Sequence, residues 1–227
     1  MGFPDATFTK NDYVYAQLRT RILTGELAAG SVVGQAKLAS DLGVSTTPLR
    51  EAIRRLAAEG MIDLEAHRDA RVTAVSAEEA RHLYQVRESL DPLATSLAAQ
   101  NRTSADISAM EFALSRLEPI TDAGDLDALL RHREFHRAVY RSSGNPVLID
   151  ILERLWDKAD RYRLIGLRHG GDTERDHARV DAEHTAIYEA VAAGEADEAA
   201  LRMTEHIRRS LGRRAIVALE ESSVDTV

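Results

Sequence analysis

Residues 13–24, YVYAQLRTRILT, place Val14, Leu18, Ile22 and Leu23 at helical spacing. Gly25 and Gly30 punctuate the chain beyond this helix. A shorter helical stretch covers residues 37–42 and stops at Gly43. Ser45 is a good N-cap residue, and Pro48 falls in the first turn of the next helix, where a missing N–H costs nothing. Leu49, Ile53 and Leu56 give that helix one apolar stripe, and Gly60 ends it. Two short helices joined by a glycine-bearing turn predict a helix-turn-helix whose second helix enters a DNA major groove. The segment MIDLEAHRDARVTAV then carries β-like ends around a polar tip, His67-Arg68-Asp69, and predicts a two-stranded wing.

After Ser76 the pattern changes to long 3.6-residue periodicity in an Ala/Leu/Glu/Arg-rich sequence. Ser76-Ala-Glu-Glu79 reads as a capping box that opens a helix reaching about Gln100. Further helices are expected from Ser104 to near Pro119, from Asp125 to Arg141, from Pro146 to near Gly166 and from Thr173 to Gly194. A sixth runs to about Leu219. The expected fold class is mainly α: an N-terminal winged helix-turn-helix over 8–75 and a C-terminal antiparallel six-helix bundle over 76–220.

Composition adds exclusions. Apolar residues make up 44% and charged residues 29% of 227 positions, ordinary for a globular protein, and cysteine is absent, so disulfide and thiolate chemistry are ruled out. No apolar run is long enough to cross a membrane, and the start MGFPDATFTKND lacks the layout of a signal peptide, so a cytoplasmic protein is expected. The net charge of −8 does not itself point to nucleic acid, but its distribution is uneven. The first 76 residues carry nine basic and nine acidic side chains, so the whole excess of acid lies beyond them.

That neutral part holds the candidate DNA surface. Ser45, Thr46 and Thr47 offer hydroxyls and first-turn N–H groups to phosphate, and Arg50 and Arg54 project from one side of the helix as guanine readers or phosphate clamps. His67 and Arg68 would extend the surface at the wing.

The C-terminal part has different chemistry. His132 and His136 stand four residues apart and share one helix face, while His184 and His206 fall on the fifth and sixth helices. Adjacent helices could bring all four to one point, where neutral imidazoles suit zinc, nickel, copper or iron. His82, His169 and His177 read as separate hydrogen-bonded or surface histidines. HREFH has the outline of a zinc-protease helix, but Glu134 lies about 200° around the helix from each histidine, which argues against metal-assisted hydrolysis. No nucleophile elbow or phosphate loop appears, so an enzyme is not expected.

The stretches ILTGELAAGSVV, LASDLGVSTTPLREAIRRLAAEGMI and ARVTAV resemble the winged helix-turn-helix of the GntR family of bacterial transcription regulators. Two positions depart from the family pattern: Thr46 stands where Arg is usual, and Asp69 where Gly is usual. VRESLDPLATSLAA, REFHRAVYRSSGNPVL, EHTAIYEAVAAGEADEA and MTEHI are similar to the FCD ligand-sensing domain of the FadR subgroup. The resemblance implies a metal held by three histidines, His136, His184 and His206, and a carboxylate whose position is taken here by His132. It also implies an effector-facing Arg87, and six helices suggest the shorter, VanR-like branch. The implied protein is a dimeric, metabolite-responsive regulator, more often a repressor. Its partners would be an operator palindrome in double-stranded DNA and a small carboxylate effector near zinc or nickel. The alternatives are a metalloenzyme and a bundle whose metal is structural.

Overall fold

The computed structural model describes residues 9–64, 69–121, 125–170 and 173–224. They separate into two compact units, residues 1–75 and 76–227.

In the first unit, α1 (Lys10–Leu23) opens on a reciprocal cap, in which the Thr9 hydroxyl accepts from the Asp12 N–H and the Asp12 carboxylate accepts from Thr9. Its buried residues are Val14, Leu18, Ile22 and Leu23, the apolar set visible in the sequence. They pack against α3 (Thr46–Ala58), which buries Leu49, Ala52, Ile53 and Leu56. The short α2 (Gln35–Asp41) is joined to α3 through Gly43, whose φ of 63° is open to glycine at no steric cost. Two short strands, β1 (Ile62–Asp63) and β2 (Arg71–Val72), pair antiparallel with Ile62 opposite Val72. The segment before α2 adds to β2 through Val33 N–H to Ala70 O and Gly30 N–H to Val72 O. The base of the wing is therefore built as expected, whereas His67 and Arg68 lie outside the described residues.

All the regular structure among the described residues of the second unit is helical. Its central helix, α4 (Ala77–Asn101), packs on α6, α7, α8, α9 and α10. The expected capping box is only half made. Ser76 Oγ accepts from the Glu79 N–H, but the Glu79 carboxylate turns away to Lys158 Nζ at 2.6 Å and the Tyr162 hydroxyl at 2.5 Å, both on α7. A tertiary partner has displaced the local one, because an ammonium and a phenol together offer Glu79 more than one N–H does.

Next in the chain come α5 (Ser104–Ser115), α6 (Leu126–Ser142), α7 (Pro146–Gly170) and α8 (Glu174–Ala193), the last closed by Gly194 at φ 82°. The expected sixth helix is two helices, α9 (Ala196–Arg208) and α10 (Leu211–Val224), so the described residues of this unit form seven helices and not six. That removes the ground for the shorter branch. The break at Arg209–Ser210 lets α10 lie against α7 and α4. Contact is close enough that a Cβ on Gly166 would stand 2.1 Å from the Leu211 carbonyl oxygen, and one on Gly212 would strike the Tyr84 hydroxyl.

Candidate DNA surface and histidine centre

The stripe that buries Leu49, Ile53 and Leu56 turns the opposite face of α3 outward, and Ser45, Thr46, Thr47, Arg50 and Arg54 are all exposed there. Ser45 occupies the N-cap position with extended backbone, but its side chain makes no capping hydrogen bond, which leaves first-turn N–H groups for a phosphate. Arg50 has no ion pair among the described residues, whereas Arg54 Nη1 rests 2.7 Å from Glu51 Oε1. Arg55 belongs to the packing instead: its guanidinium lies 3.7 Å from the centre of the Tyr15 ring and near Asp12 and Glu59, tying α3 to α1.

In the second unit α6 presents His132 and His136 on its buried face, α8 brings His184 and α9 brings His206. One ring nitrogen from each of the four lies within 4.8 Å of the others, and all four residues are buried. His184 Nε2 is 3.2 Å from His132 Nε2 and 3.3 Å from His136 Nε2. Four nitrogens bound tetrahedrally to one ion at about 2.0–2.1 Å would stand about 3.4 Å apart, so the donor set fits a transition metal.

Electrostatics agree with that fit. Burial, reinforced by Arg163 at His132 and by His206 at His136 and His184, holds these three imidazoles well below their usual pKa. Burial also lowers His206, though the Glu183 carboxylate opposes it. The site therefore offers neutral rings at neutral pH, the form that binds metal.

The outer nitrogens are treated unequally. His184 Nδ1 meets the Val180 carbonyl at 2.8 Å, and His206 Nδ1 meets Glu183 Oε2 at 3.0 Å. His136 Nδ1 approaches the Tyr140 hydroxyl at 3.5 Å, and that hydroxyl donates to Asp91 Oδ2 at 2.9 Å. His132 Nδ1 is buried with no partner.

A cavity adjoins the cluster, with about 40 Å³ of it wide enough for water. His132, Arg163, His177, His206 and Ser210 are among its walls. Arg87 is not. It is 1% exposed and clamps Asp91, with Nη2 2.7 Å and Nε 3.1 Å from Oδ2 and its guanidinium 4.8 Å from the centre of the Trp156 ring. Sequence reasoning missed Arg163, one of many arginines on α7, and set His177 apart from the site. Nothing in their local pattern marks either one.

Two sequence profiles cover most of the chain: bacterial regulatory proteins of the gntR family match residues 10–72, and the FCD domain matches residues 82–209. Among curated relatives, the transcriptional repressor GlaR of Escherichia coli is 30% identical over 199 residues, covering 85% of this chain and 90% of its own. The chain belongs to the GntR family. Another relative, a probable D-xylose utilization operon transcriptional repressor of Paenarthrobacter nicotinovorans, is 28% identical and covers 82% of this chain and 80% of its own. The solved structure of E. coli McbR/YncC shares the fold with a TM-score of 0.73 at 22% identity, over 95% of this chain and 99% of that one. This GntR protein is thus a DNA-binding transcription regulator and not an enzyme. Among the described residues no helix is long and apolar enough to cross a membrane.

Proposed function

We propose that this GntR-family regulator is a dimeric, cytoplasmic repressor whose hold on an operator palindrome is set by a small carboxylate effector bound beside a metal. The observation that carries the reading is the convergence of His132, His136, His184 and His206, four buried neutral imidazoles next to a cavity. The metal would supply positive charge and Lewis acidity there. His136, His184 and His206 would hold it through Nε2, each steadied through its other nitrogen, and His132 would complete the set. With His132 in place of a carboxylate the site has one negative charge fewer, which favours an anion. On DNA, Arg50 would read a base edge while Arg54 and the first turn of α3 hold phosphate.

The purified chain should retain about one zinc or nickel per protomer by elemental analysis, as nitrogen ligands favour. His136→Ala should release it and abolish the effector's influence on operator binding, with the N-terminal unit still folded by NMR. A metal-free chain that responds fully to its effector would overturn the reading. Four protein ligands favour a second reading, a closed structural ion, since they fill a tetrahedral shell. Thermal stability that depends on the metal, with operator affinity indifferent to any carboxylate, would select it.

For the dimer, the outer face of α4 supports a specific surface. Val86, Leu90, Leu93 and Leu97 recur at spacings of four, three and four, and Val86 and Leu93 are 43% and 48% exposed. An apolar seam with this spacing suits a second helix. Leu93→Arg should turn a dimer into a monomer in sedimentation at micromolar concentration and weaken operator binding; a variant that stays dimeric places the interface elsewhere.

A further inference from the structure

Three of the four imidazoles have an acceptor for the outer ring nitrogen, and the fourth does not. If His132 Nε2 faces the metal, its Nδ1 carries the proton, and that N–H is buried without an acceptor in a residue 6% exposed. A buried donor without a partner is costly, and persists in native proteins where something else completes it. His132 lines the cavity, and so does Arg163, which is 2% exposed. The closest ion-pair contact of Arg163 is a long one, with Nη1 3.5 Å from Asp160 Oδ1, and Asp160 also lies 3.8 Å from Arg133 Nη1. Ser210 Oγ and His177 Nε2, on the same walls, are also buried without partners. Two acids belong to the lining. Glu183 is already engaged by His206 and Arg179, and Asp181 is solvent-exposed.

We propose that His132 and Arg163 form an anion site in this cavity, outside the coordination shell of the metal, where a small carboxylate accepts a hydrogen bond from His132 Nδ1–H and faces the Arg163 guanidinium. Ser210 supplies a further donor at the break between α9 and α10. The proposal deepens the effector reading above and rests on it for the His132 tautomer. It also assigns His132 a second use: the residue that replaces a carboxylate ligand brings an N–H that no carboxylate has.

The test titrates acetate into the zinc-loaded, 15N-labelled full chain and follows the four imidazoles in long-range 1H–15N spectra. The expected result is a saturable downfield movement of His132 Nδ1–H, with the other three rings little changed. Arg163→Met should weaken acetate about tenfold or more, the scale of a lost hydrogen bond to a charged group. His132→Asp should abolish binding while zinc stays at one per chain. The wild-type spectra decide the matter even if Arg163→Met does not fold. A His132 resonance unmoved by about 0.1 M acetate, where even millimolar affinity saturates, overturns the proposal. So does acetate that alters the visible spectrum of the cobalt-substituted chain without moving that resonance. In that case the carboxylate binds the metal itself, and the effector reading survives. A chain that holds no zinc but shows the His132 shift keeps the anion site and sinks the metal reading.

Discussion

Arg50 stands on α3 without an ion-pair partner among the described residues, while Arg54, one turn on, already leans on Glu51. This inequality gives the two arginines different expected phenotypes. Arg50→Ala should cost about 1–3 kcal/mol on the operator and much less on unrelated DNA, the mark of a lost base contact. Arg54→Ala should weaken all sequences alike and reduce the slope of log K against log salt by about one. Fluorescence anisotropy across a salt series separates the two, and an Arg50→Ala protein with unchanged operator affinity would exclude α3 as the reading helix. Helical spacing put His132 and His136 on one face of α6 already in the sequence, while His184 and His206 stood on separate helices and were joined to them as ligands through the family resemblance. Arg163, His177 and the bare Nδ1 of His132 could not be named from the sequence, because their significance depends on which helices meet.

At the scale of elements, α1 and α3 were legible because Val14, Leu18, Ile22 and Leu49, Ile53, Leu56 alternate with polar residues at the helical period, and the structure buries them all. The break between α9 and α10 was not legible. Neither Arg209 nor Ser210 is a strong breaker, and what bends the chain is the close seating of α10 on α7 and α4. Gly212 makes the seating possible, since the Tyr84 hydroxyl occupies the space a Cβ would need. Gly212→Ala should therefore destabilise the chain by about 1–3 kcal/mol, although alanine is the better helix former. Denaturant unfolding measures this, and a stabilised variant would show that Tyr84 yields easily. Glu79 behaves in the same way: its spacing from Ser76 is that of a capping box, yet Lys158 and Tyr162 claim its carboxylate.

At the scale of the whole molecule, the buried imidazoles couple stability to pH. In the unfolded chain they protonate near about 6.5. In the fold, burial keeps all four below that value. Below pH 6.5 the unfolded chain thus binds more protons than the folded one, and unfolding becomes easier as pH falls toward the folded-state values. Chelator-treated protein should melt at a lower temperature at pH 5.5 than at pH 7.5, and the gap should narrow when His184 is replaced by Leu. Equal melting temperatures at the two pH values would mean that the rings are solvated rather than buried. The net charge of −8 acts at this scale as well, since it repels DNA everywhere except at a neutral N-terminal unit with a few exposed cations. The Glu51–Arg54 pair then has a kinetic meaning. A regulator in a cell meets far more wrong DNA than right, and on the proposed reading every phosphate that Arg54 took would first have to displace the Glu51 carboxylate. On the operator, the base contacts proposed for Arg50 would offset that exchange; on other DNA they would be missing, so the protein would leave sooner and search faster.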